Sequence, residues 1–182
     1  PTDEYLAESE LAEIGFKFLG FDDRIYAALT YYDQEKTERS GQLSSVTQTF
    51  SKGVEFELRA LITDQLSIIA TATHSEIDEI GNIFTVINGA DFAAQNGLTP
   101  DQVYGGRISA DRDTLTGPGA RLERGGLPDN IVSLYGTWTQ ELFGGEVNAS
   151  LGFTWVEETH MDAMRSVLLP DYVVWTGSVG YI

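Results

Sequence analysis

Apolar and polar residues alternate with period two along most of the chain, which predicts an all-β fold: an antiparallel, up-and-down sheet of about seven strands. Two further observations support it. The connectors between alternating segments are short and long by turns, and no long segment carries a 3.6-residue period.

The segments follow in order. From Glu8 to Phe18 the even positions Ala12, Ile14, Phe16 and Phe18 are apolar, against Ser9, Glu13, Gly15 and Lys17. From Arg24 to Asp33 the apolar set is Ile25, Ala27, Leu29 and Tyr31. From Phe50 to Ile62 it is Phe50, Val54, Phe56, Leu58, Ala60 and Ile62, opposed by Ser51, Gly53, Glu55, Glu57 and Arg59. Leu66, Ile68, Ala70 and Ala72 alternate with Ser67, Thr71, Thr73 and Ser75. Val132, Leu134, Gly136 and Trp138 mark the Asn130–Gln140 segment. Val147, Ala149, Leu151, Phe153 and Trp155 mark Val147–Glu157, and Val173, Trp175, Val179 and Tyr181 mark Tyr172–Ile182. Successive strand side chains point to opposite faces, so each segment has one oily and one wetter face.

Three connectors are short, Leu19–Asp23, Thr63–Gln65 and Glu141–Glu146, and their Gly, Asp and polar residues suit hairpins. Three are long: Gln34 to about Gln48, Ile80–Pro128 and Glu158–Pro170. This order collects the tight turns at one end of the strands and the long loops at the other. The longest connector holds several Gly-containing turn signals and a short helix expected near Pro100–Val103, with Thr99 as its N-cap.

Composition narrows the function classes. The 182 residues include 28 Asp and Glu against 11 Lys and Arg, a formal charge of −17 that repels phosphate backbones and argues against nucleic-acid partners. With no cysteine there is no disulfide framework, thiolate metal site or cysteine nucleophile. Mean hydropathy is −0.14, and no apolar run reaches the length of a membrane helix. The opening Pro1-Thr2-Asp3-Glu4 does not read as a signal peptide, so the expectation is a cytoplasmic protein or one whose N-terminal part has been removed.

Strand length favours a membrane. About eleven residues at roughly 3.3 Å each, tilted by about 45°, cover some 25 Å, the height of the apolar band on outer-membrane barrels. Phe16, Phe18, Tyr31, Tyr32, Phe50, Trp138, Trp155 and Tyr181 fall toward segment ends, where interfacial aromatic girdles would place them. Glu55, Glu57 and Arg59 share one face of one strand; charges facing lipid are strongly unfavourable, so these three are expected to face the lumen. A soluble β-sandwich also alternates and also favours inward aromatics, and it stands as the alternative.

Several local patterns carry a family resemblance. Glu13-Ile14-Gly15-Phe16-Lys17 precedes a short turn and the strand Arg24-Ile25-Tyr26-Ala27-Ala28-Leu29-Thr30-Tyr31-Tyr32-Asp33. Ser51-Lys52-Gly53-Val54-Glu55-Phe56-Glu57-Leu58 precedes Leu61-Ile62-Thr63-Asp64-Gln65-Leu66-Ser67. Gly126-Leu127-Pro128 introduces the strand containing Ser133-Leu134-Tyr135, and Leu169-Pro170-Asp171-Tyr172 opens the last one. In order and spacing, across roughly residues 8–182, these resemble the C-terminal barrel region of TonB-dependent outer-membrane receptors, siderophore receptors among them. The resemblance implies a segment of a roughly 22-stranded transmembrane barrel in a Gram-negative outer membrane. The whole chain, 1–182, would belong to that barrel domain, with the plug domain and TonB box outside it. Implied partners are a ferric siderophore or similar chelate, the plug, the TonB complex, and outer-membrane lipid and lipopolysaccharide. No cofactor is implied. The chain departs from the family in its odd strand count and in ending Tyr181-Ile182 without the family's terminal aromatic strand, which suggests the late third of a barrel without its last strands.

No catalytic constellation can be read, so an enzyme is not expected. His74 and His160 lack a metal-ligand spacing, and His74 is expected at an interface. Asp111-Arg112-Asp113 lacks the remainder of a calcium loop, and Gly117-Pro118-Gly119-Ala120 lacks the Lys-Ser/Thr of a phosphate loop. Tyr104, Arg107, Arg112, Arg121 and Arg124 in the longest connector are the ligand-binding candidates, since Arg and Tyr suit an anionic, aromatic chelate. The plainer alternative for each is that it simply solvates the loop or meets lipopolysaccharide phosphates. The expected function is uptake of ferric siderophores. Alternatives are a receptor of the same family for cobalamin or a glycan, a soluble sandwich or jelly-roll carbohydrate-binding module, and a passive porin.

Overall fold

The computed structural model describes residues 7–40, 45–80, 84–99, 102, 107–111, 119–163 and 165–182, with backbone only for 39–40, 45, 84–90 and 107–111. The chain is all-β and antiparallel. Its strands are β1 (Glu8–Gly20), β2 (Ile25–Ser40), β3 (Ser45–Leu61), β4 (Leu66–Ile80), β5 (Phe84–Asn88), β6 (Arg107–Asp111), β7 (Leu122–Glu123), β8 (Asn130–Leu142), β9 (Gly145–Val156), β10 (Thr159–His160), β11 (Leu168–Leu169) and β12 (Tyr172–Tyr181), with helix α1 (Gly89–Gln95) between β5 and β6. Seven long strands form one sheet in the order β1-β2-β3-β4-β8-β9-β12, the seven alternating segments of the sequence. Strand β7 adds to the end of β4, while β5–β6 and β10–β11 are separate two-stranded ribbons. Among the described residues β1 and β12 pair with one neighbour each, so the sheet is open.

The three tight turns stand where expected. Phe143-Gly144 has positive φ at both residues (56° and 84°), the two-residue hairpin geometry that matches strand twist. Phe21, Asp22 and Asp23 are also left-handed. Thr63 Oγ1 accepts the amides of Gln65 and Leu66 at 3.2 and 3.0 Å. Arg24, in the first turn, reaches Asp64 in the second at 2.8 Å.

The long connectors differ from expectation. Gln34–Gln48 is mostly strand: β2 continues to Ser40 and β3 starts at Ser45. This extension is polar on both sides, so water rather than a core borders it and hydropathy does not mark it. Tyr31, Tyr32 and Phe50, expected at strand ends, consequently lie within strands. The connector after β4 contains α1, which periodicity did not signal in so short an element. Of the helix expected at Pro100–Val103, Thr99 and Gln102 are described: the Thr99 amide donates to Gln102 Oε1 at 2.7 Å, the returning half of a capping box. The rest of that segment lies outside the described residues.

Register places the alternating residues in rows across the sheet. One row reads Phe18, Ala27, Leu58, Ala70, Leu134, Phe153, Trp175, and the next Phe16, Leu29, Phe56, Ala72, Val132, Trp155, Val173. The charged row Asp33–Lys52–Glu76 bounds this apolar face toward the loops. All three tryptophans stand on it. Among the described residues no second layer covers it: Phe16 is 68% exposed, Leu151 62% and Trp175 66%. The total accessible area is 12297 Å², whereas a compact monomer of this mass exposes about 8,700 Å².

The rows also lean relative to the strand ends. On β1 the turn begins just after Gly20, close to Phe18; on β8 the row residue Leu134 lies well short of the strand end at Leu142. The turns step by about five to six residues over four strand spacings. With a rise near 3.3 Å and a spacing near 4.8 Å, this is a lean of roughly 40–45°.

Candidate functional site

The second face of the sheet is the wetter one. Glu55, Glu57 and Arg59 share it, opposite Val54, Phe56 and Leu58, as alternation requires. Arg59 Nε donates to Glu57 Oε1 at 2.5 Å, and Glu55 and Glu57 each stand beside a threonine of β4, Thr73 and Thr71. Farther along, hydroxyl groups take over. Tyr135 OH donates to Ser150 Oγ at 2.8 Å, Ser150 and Ser178 are joined at 2.7 Å, and Ser133 and Thr154 at 2.9 Å. This face therefore has a charged part on β3 and a hydroxyl-rich part on β8, β9 and β12.

Two cross-strand pairs on this face match a tyrosine with a glycine. Tyr32 lies over Gly53, and Tyr135 over Gly152. A Cβ on Gly53 would stand 2.4 Å from the His74 carbonyl oxygen and 2.8 Å from the Tyr32 hydroxyl oxygen, so only glycine fits there.

At the loop end a polar chain closes the apolar face. Lys52 pairs with Glu76 at 2.7 Å. His74 lies 3.8 Å from Glu76 and 3.0 Å from Asn130 Oδ1, and Asn130 Nδ2 donates to Glu157 at 2.5 Å. His74 thus stands at the edge of the apolar band, in the row of Tyr31 and Val54.

The candidate ligand residues separate. Tyr104 and Arg112 lie outside the described residues, and Arg107 is described only as the first backbone position of β6. Arg121 and Arg124 flank β7 and are brought together, each directed at a carboxylate of β4. Arg121 Nε donates to Asp78 at 2.7 Å, and its guanidinium lies 4.2 Å from the Phe50 ring centroid. Arg124 Nε is 4.0 Å from Glu79, and its amide donates to the Ile77 carbonyl at 2.7 Å. Asp78 and Glu79 are adjacent on β4 and face opposite sides, so the two arginines straddle its end. Sequence reading missed Asp78, Glu79 and the Glu123–Arg165 pair; in each case the two partners lie far apart in sequence, so their spacing carries no local signal. Among the described residues no group of three or more His, Asp and Glu is arranged to hold a metal.

Asp129, in the connector just before β8, has its carboxyl held above the ordinary range, first by burial and then by the negative charges of Glu123 and Glu157. The folded state thus binds this proton more tightly than the unfolded chain. Its stabilising contribution is complete at low pH and lost as pH rises through the elevated value. Asp129→Asn should raise the unfolding midpoint at neutral pH and flatten this slope, which thermal unfolding at several pH values measures.

No family model, curated protein or solved structure matches this chain.

Proposed function

We propose that the chain is part of the wall and external loops of a TonB-dependent outer-membrane receptor that imports a ferric siderophore. The observation that carries this reading is the uncovered apolar face crossing seven strands, whose lean matches the roughly 35–45° tilt of membrane barrels. A sandwich would need a second layer on the same face. The ordered set of local patterns shared with the receptor family supports the finer assignment. In this reading the apolar rows meet hydrocarbon, and Glu55, Glu57, Arg59 and the hydroxyl ladder face a lumen filled by a plug domain. Ligand binds outside. Energy from the TonB complex shifts the plug, and substrate passes into the periplasm. No covalent chemistry occurs.

Two measurements test it. In bilayers, lipids brominated along their acyl chains should quench Trp138, Trp155 and Trp175 together, because all three stand on the apolar face. Unquenched emission, with a protein that is monomeric in water without detergent, removes the membrane assignment. Deletion of the full-length gene should abolish growth on at least one ferric chelate as sole iron source. Unchanged growth across a chelate panel, with lost uptake of a sugar or cobalamin, removes the siderophore cargo alone.

A further inference from the structure

The connectors 81–129 and 157–171 meet at several places. Within the first, the strap 119–127 lies on the end of β4 through the β7 pairing, the Arg124 amide and the Arg121–Asp78 bond. The second lies against this strap. The Gly126 amide donates to the His160 carbonyl at 2.6 Å, and Thr159 Oγ1 donates to the Leu127 carbonyl at 2.9 Å. Arg165 pairs with Glu123. Gly125 sits so close to the Asp162 main chain that a Cβ would stand 2.3 Å from its Cα. A second junction lies at α1: Gln95 exchanges two bonds with the Leu168 backbone, both 2.9 Å, beside the buried Ala93 and Val167.

We infer that residues 157–163 and 165–171 latch both the strap 119–127 and α1, so that these segments open as one cooperative unit. Each ion pair is exposed and individually weak. Backbone bonds and a glycine contact tie this latch to the strap, and a two-bond amide junction ties it to α1, so neither can lift away without breaking contacts with the latch.

Hydrogen exchange in the full-length protein tests it, with a variant in each connector read out in the other. Arg165→Gln should speed exchange of the Arg124 amide by about threefold. Gln95→Ala should do the same for the Met161 amide, which donates to the Val167 carbonyl. Gly125→Ala, which forces the two main chains apart, should speed both by about tenfold. Arg165→Gln and Gln95→Ala leave the backbone contacts in place and serve even where Gly125→Ala fails to fold. Faster exchange confined to the connector carrying the substitution overturns the inference.

Discussion

Arginine at Leu134 should destabilise the protein in a bilayer by about 2–4 kcal/mol, the cost of a cation near the hydrocarbon midplane. Arginine at Ser133, one residue away, should cost only about 1 kcal/mol, the loss of its bond to Thr154. The two positions lie on one strand and face opposite ways, so backbone propensity and chain context cancel in the comparison. Leu134 stands between Ala70 and Phe153 near the middle of the apolar rows. Denaturant unfolding in lipid vesicles measures both costs. Three environments for this face give three patterns. Facing lipid, Leu134→Arg is severe while Leu134→Ala costs little beyond its transfer term, because lipid tails fill the space. Facing a second protein layer, Leu134→Ala itself costs about 2–5 kcal/mol through the cavity it leaves. Facing water, both changes stay within about 0.5 kcal/mol. The last two patterns are incompatible with the proposed membrane role.

Alanine at Gly53 should cost about 1–3 kcal/mol, since the added methyl meets backbone rather than a yielding side chain. The His74 carbonyl is held in the β3–β4 ladder, so relief requires the two strands to separate locally. Removing the tyrosine ring as well, in Tyr32→Ala/Gly53→Ala, should not restore stability, because the carbonyl contact remains. Gly136 is the internal control. A Cβ there would find its nearest neighbours at 3.8 and 3.9 Å, so Gly136→Ala should fall within about 0.5 kcal/mol of the parent. Unfolding midpoints of the four proteins decide the matter; equal losses at Gly53 and Gly136 would show that glycine content alone, rather than the close approach of the His74 carbonyl to Gly53, governs this region.

The candidate site was less legible than the fold. Glu55, Glu57 and Arg59 could be assigned a common face because the period of a strand is two, and that is a local property. Arg121 and Arg124 could be marked only as cations in a long connector. Their partners Asp78 and Glu79 lie more than forty positions away in sequence, and β7, which aligns them, is two residues long. An arginine in a loop reads the same in sequence whether it awaits an anion or is already paired.

Alternation by itself settled the number of long strands, the side each residue occupies and the end at which the tight turns gather, because side-chain direction in a strand follows from counting. Only the tertiary structure decided how far β2 and β3 run past the oily band, how the strand ends step to give the lean, and which loop segments hold one another. Those features depend on register, backbone pairing and contacts between distant residues, and a polar ribbon with water on both sides leaves no periodic mark of its own.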